Sequence, residues 1–522
     1  MSGTTPPPRP LLRLAFAAPL SVVAGLLLVT AYPALAWWPL AFPAVALALL
    51  TLIGRRFWSA VLMGFLFGVA FFSVNLLFTA RYLGPIPWAA LFVLEALLTA
   101  VLAVPIALAY RWVPRVAPGV LGRTLALPAL VAGLWVLREQ IVGSWPYGGF
   151  PWGRIGVSQV NGPFAEVASW VGMSGLSFLI VLLCAMVIEL VRLHRFRKPL
   201  AAVPAAGLLV ALLVLPQFPT TAAGSLRVGA VQGNGPAGYF DQRARNAVLN
   251  AQLAASAPLF GQQMDVLLWP EGGVDSDPTA NSSNSAVLEE LSRRVDAPLL
   301  VSAVTERGPD LFNSALLWTA DGQSGATYDK RHPVPFGEYV PDRAFWEPFA
   351  PDLIGLIGRE YTPGTASPLI DIDGVGVGLA ICFDVIYDDV VWDGADAGAQ
   401  VYMFQTNNAD FRGTDENLQQ LAFAQMRAIE TGRAVVNLST VGTSQVIAPD
   451  GSTLDALPID EAGHMLTDVP LRTGLTPAVV IGPAVKVVLG WGSLAGLLAA
   501  GLSLAVRAQR TKKTPTPTGA GV

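Results

Sequence analysis

Charge is what this 522-residue chain has least of: 13% of its residues are Asp, Glu, Lys or Arg, about half the share of an ordinary soluble domain. Hydrophobic residues make up 53%. So apolar a composition excludes a disordered chain, and it excludes an enzyme that is soluble over its whole length. Cysteine is almost missing, with only Cys184 and Cys382, so no disulfide scaffold is expected. Three histidines, scattered at 194, 332 and 464, offer no metal-binding spacing, and neither a metal nor another cofactor is expected. The G-x-S-x-G elbow and the Walker-type phosphate loop are missing too, which disfavours the common serine hydrolases and P-loop enzymes.

The charge that is present is unevenly placed. Residues 218–474 hold 33 of the 37 acidic residues but 14 of the 33 basic ones, so this segment carries −19 and the remainder +15. The remainder is apolar in long runs. Stretches near 12–31, 36–53, 57–79, 88–110, 123–139, 166–191 and 199–216, with an eighth near 484–506, approach the roughly 20 residues that cross a bilayer. The run at 123–139 is the weakest, because Arg138 and Glu139 close it early. Fifteen basic residues fall on one side of these runs and three, Arg81, Arg138 and Arg154, on the other. That bias predicts both termini in the cytoplasm and 218–474 outside it.

Arg9, Arg13 and the triplet Ala34-Leu35-Ala36 also permit a cleaved signal peptide, which would leave the sidedness unchanged. The tails Ser2–Pro10 and Thr511–Val522, rich in Pro, Thr and Gly, are expected to be disordered. Glu95 falls in mid-run and is read as a protonated carboxyl bonded to a neighbouring helix, with no second intramembrane charge to relay to. The same scarcity of charge argues against an ion-coupled transporter. Gly64–Gly68 and Gly492–Gly496 have the spacing of close helix packing.

Residues 218–474 read differently. Strands are predicted at Leu226–Gln232, Asp265–Trp269, Leu299–Thr305, Ala315–Trp318, Leu369–Ile372, Gly376–Cys382, Val401–Gln405 and Ala434–Ser439. Helices are predicted near Asp241–Ala257, Ser285–Val295 and Glu416–Thr431. Strands interleaved with helices at this spacing indicate a layered α/β domain. The chain therefore divides into a membrane part, 1–217, an outer domain, 218–474, and a last span with its tail, 475–522.

Cys184 falls within a span, so Cys382 is a lone thiol in a disulfide-permissive compartment: a reactive nucleophile or an inert buried residue. Its setting favours reactivity. It ends the apolar strand Gly376-Val-Gly-Leu-Ala-Ile-Cys382, where a loop begins. Glu271 follows Val266-Leu-Leu-Trp-Pro in the same manner, and Lys330 comes after another strand. Leu268-Trp-Pro-Glu271, Tyr328-Asp-Lys330 and Ile381-Cys-Phe-Asp384, in that order, resemble the Glu, Lys and Cys signatures of the nitrilase, or carbon–nitrogen hydrolase, superfamily. Val334-Pro-Phe-Gly-Glu338, the loop Gly149-Phe-Pro-Trp152, then Ser158-Gln159 and Gly162-Pro163, with eight spans around one such domain, narrow the resemblance to its membrane-embedded branch, the apolipoprotein N-acyltransferases.

That resemblance implies a polytopic α-helical membrane domain with an extracytoplasmic α-β-β-α sandwich, a monomer in a bacterial plasma membrane. It implies a thioester mechanism: Cys382 as nucleophile, Glu271 as general base and acid, and Lys330 with the backbone N–H of Phe383 as oxyanion donors. Glu338 is expected to orient Lys330 or share its proton work, with a structural loop acid as the alternative. His332 is expected to pack or solvate its loop. The implied substrates are a phospholipid donor and a diacylglyceryl-cysteine amine on an apolipoprotein; the acidic outer surface shows no nucleic-acid signature.

Four features depart from the family pattern. Phe383 and Asp384 stand where relatives often have Tyr and Glu, Asp410-Phe411 follows Asn407-Asn408-Ala409 where an aromatic is frequent, and Tyr239 and Phe240 lie near a displaced aromatic position. These leave the substrate contacts open, with Tyr239, Phe240, Phe345, Trp346 and Trp152 as candidates. Because −19 repels anionic head groups, docking is expected to use apolar loops such as Phe345-Trp346 and Leu353-Ile-Gly-Leu-Ile-Gly358. The other reading of that stretch is a buried core segment. Two other functions share parts of the pattern: a membrane-anchored amidase or nitrilase acting on a small soluble substrate, and a transporter or binding module with an inactive outer domain. Eight spans disfavour the first, and an intact Glu-Lys-Cys set the second.

Overall fold

The computed structural model describes residues 9–194 and 199–513. Arg195, Arg197 and Lys198, three of the charges that set the predicted orientation, lie outside them, as do residues 2–8 and 514–522 of the expected disordered tails. The last helix, Pro477–Lys513, runs past the predicted start of the C-terminal tail.

Among the described residues five helices are long and apolar enough to cross a membrane: Phe57–Asn75, Pro85–Val116, Gly122–Val142, Ala165–Arg192 and Pro477–Arg510. Leu14–Val29, Trp38–Leu52 and Ala201–Val214 are shorter apolar helices. Gly64 and Gly68 behave as their spacing predicts. A Cβ on Gly64 would lie 2.7 Å from that of Ala103, and one on Gly68 would lie 2.7 Å from Cα of Ala96, so small residues let these two helices touch. The second pair divides: a Cβ on Gly492 would meet only its own helix, at Val488, whereas one on Gly496 would lie 3.1 Å from Leu130 of a neighbouring helix. Gly133 of that neighbour makes the closer approach, against Leu489 and Ser493.

Two expectations fail at Arg138 and Glu139. They do not end their helix, which continues to Val142, and both side chains are buried. They lie 3.7 Å apart, and Glu139 accepts hydrogen bonds from Trp135 Nε1 and the Ile155 N–H at 3.2 and 3.1 Å. Mutual neutralisation lets the pair stay inside where either charge alone would be expelled. Glu95 is therefore not the lone intramembrane charge: Arg138 acts on it electrostatically and also reaches Thr99, one turn further along Glu95's helix, at 3.5 Å.

The outer domain is built of two six-stranded sheets. In the first, β1 (Thr221–Gln232) pairs in parallel with β2 (Val266–Leu268), β2 with β3 (Leu299–Arg307), and β4 (Asp310–Thr319) and β5 (Gly322–Asp329) follow as antiparallel hairpins. In the second, β6 (Leu369–Ile372) pairs antiparallel with β7 (Val375–Ile381). Then β7, β8 (Val401–Thr406) and β9 (Val435–Ser439) run in parallel, followed by β10 (Gln445–Ile447) and β11 (Thr453–Ala456). Finally β12 (Gly463–Thr473) returns to the free edge of β1.

The period-two alternation of side chains explains the layers. Leu267, Leu299, Val301, Leu316 and Trp318 point one way, onto Leu249, Leu288, Leu291 and Val295 of the helices Ala247–Ser256 and Ser282–Val295. Val266, Leu268, Leu300, Ala315 and Leu317 belong instead to the core shared with Val377, Leu379, Met403 and Val435 of the second sheet. The helices Asp388–Asp396 and Glu416–Thr431 cover the far side of that sheet, completing an α-β-β-α sandwich. The helix expected from Asp241 begins only at Ala247, because Asn246 adopts a left-handed conformation at φ 59°.

Charge ties this sandwich to the apolar part. The buried carboxylate of Asp388 receives Arg154 in two-pronged fashion (2.6 and 2.9 Å), Arg427 at 3.0 Å and, from the last helix, Lys486 at 3.2 Å. Arg154 also reaches Ser174 of the helix Ala168–Arg192. Arg138 and Arg154, two of the three basic residues assigned to the outer side by sequence, are thus buried partners rather than loop charges, leaving Arg81 on the short helix Thr79–Leu83.

Candidate active site

Three strand ends meet at one place. Glu271 lies three residues beyond β2, Lys330 one beyond β5 and Cys382 one beyond β7. Lys330 Nζ sits 2.8 Å from Glu338 Oε2 and 3.6 Å from Glu271 Oε1, and the Cys382 thiol is close enough to feel both Glu271 and Lys330 electrostatically. The sequence-predicted set therefore converges, and Glu338 is beside Lys330 as expected. Val334 N–H donates to Glu338 Oε2 at 2.7 Å, so the Val334–Glu338 turn fixes the carboxylate that faces the ammonium. Cys382 itself holds φ at 50°, a conformation that L residues adopt at some cost, and opens the tight turn Cys382–Ile386.

Electrostatics in the site favour bound protons. Burial lifts the Glu271 carboxyl above its ordinary range, and although Lys330 lowers it, Glu338 reinforces the rise. Burial and then Glu271 push the Cys382 thiol well up. Burial opposes the Lys330 ammonium, but Glu338 and Glu271 outweigh it and hold its pKa well above the usual value.

Asp384 takes its hydrogen bonds from outside this cluster. Fully buried, it accepts from Tyr328 Oη at 2.7 Å and from the His332 and Ile381 N–H groups at 2.9 and 3.2 Å, tying the lysine loop to the nucleophile turn. A shortened carboxylate suits that work. His332 stacks on Tyr387 at 3.8 Å, a packing role.

Three of the aromatic candidates, Trp152, Tyr239 and Phe240, join other rings in a wall of contacts that runs from Phe383, beside Cys382, to the membrane part. Phe383 stands 5.3 Å from Phe150, Phe150 5.6 Å from Trp152, Trp152 5.1 Å from Phe78, and Phe78 5.5 Å from Phe411. Tyr82 continues it to Tyr239 and Phe240 at 6.2 and 5.8 Å. Trp152 is buried and donates from Nε1 to Gln419, so it backs the wall rather than facing it. The stretch 345–358 divides: Ile354 and Ile357 are buried with Val340, while Phe345, Phe349 and Leu356 are exposed. Trp346 is held from the membrane side by Tyr147, whose hydroxyl accepts from its Nε1 at 3.2 Å. Tyr82 Oη donates to the Gly337 carbonyl at 3.1 Å, so the membrane part touches the loop that carries Glu338.

Sequence reasoning missed Asn313, which donates to Glu271 Oε1 at 2.7 Å, and Gln420, whose Nε2 lies 3.5 Å from Cys382 Sγ. Asn313 stood in a predicted gap before Ala315 and is instead mid-strand in β4. Gln420 carried one signal, a glutamine pair within an otherwise apolar stretch of helix.

The family model described as the apolipoprotein N-acyltransferase N-terminal domain matches residues 24–186, and the carbon–nitrogen hydrolase model matches 227–474. The apolipoprotein N-acyltransferase of Mycolicibacterium smegmatis is 33% identical over 92% of this chain and 85% of its own length. That of Azotobacter vinelandii is 30% identical over 91% and 94%. A solved amidase from Nesterenkonia sp. aligns with 48% of this chain and 92% of its own at 19% identity and a TM-score of 0.34. Identity of 30% or more to two such enzymes over nine-tenths of the chain, with family models matching both the apolar helices and the sandwich, means that the chain belongs to the apolipoprotein N-acyltransferase family.

Proposed function

We propose that this protein is an acyltransferase that moves a fatty acyl chain from a phospholipid to the N-terminal amine of a diacylglyceryl-cysteine on apolipoproteins. The observation that carries the reading is the meeting of Glu271, Lys330 and Cys382 behind an aromatic wall shared with the membrane helices. A water-directed amidase has no need of such a wall.

In the first half-reaction Glu271 accepts the thiol proton as Cys382 Sγ bonds to the ester carbonyl carbon. Lys330 and the Phe383 N–H hold the negative oxygen. The carbon–oxygen ester bond then breaks, Glu271 protonates the departing lysophospholipid hydroxyl, and a thioester remains. In the second, the acceptor amine bonds to that carbonyl and gives a proton to Glu271. The carbon–sulfur bond breaks, and Glu271 returns the proton to the thiolate. Glu338 keeps Lys330 charged and aimed.

In this reading all eight apolar helices span a bacterial plasma membrane, both termini are cytoplasmic, and the sandwich stands outside as the charge bias predicts. The protein acts as a monomer. Phe345, Phe349 and Leu356 dip into the outer leaflet, offsetting the acidic surface. Tyr239, Phe240 and Trp346 flank the path of the lipid chains.

Phospholipid labelled in its acyl chain should label the full-length protein through a hydroxylamine-sensitive bond, and the labelled protein should pass the chain to a diacylated lipopeptide. Cys382→Ala should abolish both steps. Acylation of the peptide by the Cys382→Ala protein would refute the mechanism.

A further inference from the structure

Gln420 sits at the reacting sulfur in a position that the acyl transfer above leaves unused. It is 2% exposed, on the helix Glu416–Thr431, with Nε2 3.5 Å from Cys382 Sγ. The other end of its carboxamide is fixed. Asn408 Nδ2 donates to Gln420 Oε1 and to Glu416 Oε2, both at 2.8 Å, and Asn408 Oδ1 faces Ser439 Oγ at 2.8 Å. Asn408, Glu416 and Ser439 are all buried. With Oε1 held by the Asn408 donor, the end of the carboxamide that meets the sulfur is Nε2, a donor rather than a carbonyl.

We infer that Gln420 is a further catalytic residue of this site, and that Asn408 is its positioning residue. As Glu271 removes the thiol proton, charge builds on Sγ, and the Gln420 N–H strengthens its bond to the thiolate. When the thioester collapses, the same N–H meets the thiolate as it leaves. Lys330 cannot serve sulfur alone in this way, because two carboxylates already claim it. Asn408 acts at a distance by keeping the nitrogen end of the amide toward Cys382. No bond is made or broken at Gln420, and its protons stay in place.

The inference rests on Cys382 as the nucleophile, but its decisive test needs no lipid. In full-length protein carrying Cys184→Ala, so that Cys382 is the only thiol, the rate of alkylation by iodoacetamide is followed against pH. Gln420→Met, similar in length but without a donor, should move the midpoint of thiolate formation up by about one to two units. It should also slow thioester formation from labelled phospholipid about 10- to 100-fold, the worth of a hydrogen bond to a charged group. Asn408→Leu should shift the profile in the same direction and by less.

Gln420→His, which restores an N–H donor, should recover part of the shift, a result that loss of packing alone would not give. Thermal unfolding of each variant identifies any that misfold, in which case the His variant decides. An alkylation profile unchanged in folded Gln420→Met protein would overturn the inference. A shifted profile in a protein that takes no acyl chain from phospholipid would uphold Gln420 and refute the lipid donor.

Discussion

Two buried ionic clusters in this molecule have opposite balances. At Asp388 three cations surround one carboxylate, and although burial alone would raise it, Arg154, Lys486 and Arg427 hold it well below its ordinary 3.8. At Lys330 two carboxylates surround one cation, and Glu271 is held above its ordinary 4.5. The first cluster keeps its charges fixed and joins elements far apart in sequence. The second leaves carboxyl and thiol reluctant to ionise, so a proton can pass between them at little cost. An excess of cations makes a joint; an excess of carboxylates makes a proton exchanger.

The comparison can be broken at either end. Asp388→Asn leaves Arg154, Arg427 and Lys486 without their shared anion, and should cost about 3–5 kcal/mol of stability, read by thermal or denaturant unfolding in detergent. Because its pKa lies below 3.8, the stability that Asp388 contributes is complete above that value and lost as pH falls through it. The variant should lack that acid-limb loss. Lys330→Met removes the cation from the other cluster and should slow thioester formation about 10²–10³-fold while the protein stays folded.

An effect of opposite pH dependence sharpens the contrast. Burial pushes the Glu416 carboxyl up to about 8 from an ordinary 4.5. Its stabilising contribution is therefore complete below 4.5 and lost as pH rises to about 8, the reverse of Asp388, at up to about 1.4 kcal/mol per pH unit. Glu416→Gln should flatten that alkaline decline in an unfolding series from pH 5 to 9. A decline as steep as the wild type's would place the titration elsewhere.

The sequence made the ends of strands legible and hid what lies inside the elements. Glu271, Lys330 and Cys382 each follow an apolar run at a loop, where an ionisable residue draws notice. Leu369–Ile372 and Glu416–Thr431 were bounded correctly because their patterns start and stop cleanly. β12 went unread because Asp468 and Pro470 interrupt its alternation, and only the free edge of β1 makes it a strand. Arg138 and Glu139 looked like the end of a span because charge ordinarily marks an interface, and nothing local shows that two such residues neutralise each other. Asn313 and Gln420 were hidden for other reasons: Asn313 fell in a gap before the predicted strand, and a polar residue within a helix such as Gln420 reads as solvent-facing until the fold supplies the group that it meets.

The joint at Asp388 also bears on how the protein is made. Arg427 donates to the carbonyls of Val385 and Ile386, the end of the turn that Cys382 opens, and shares its carboxylate with Arg154 and Lys486. Of these partners Arg154 leaves the ribosome long before Lys486. The seat beneath the nucleophile is complete only once the final helix has been inserted, so a prematurely terminated polypeptide would carry every reacting group yet lack the scaffold that holds them in register.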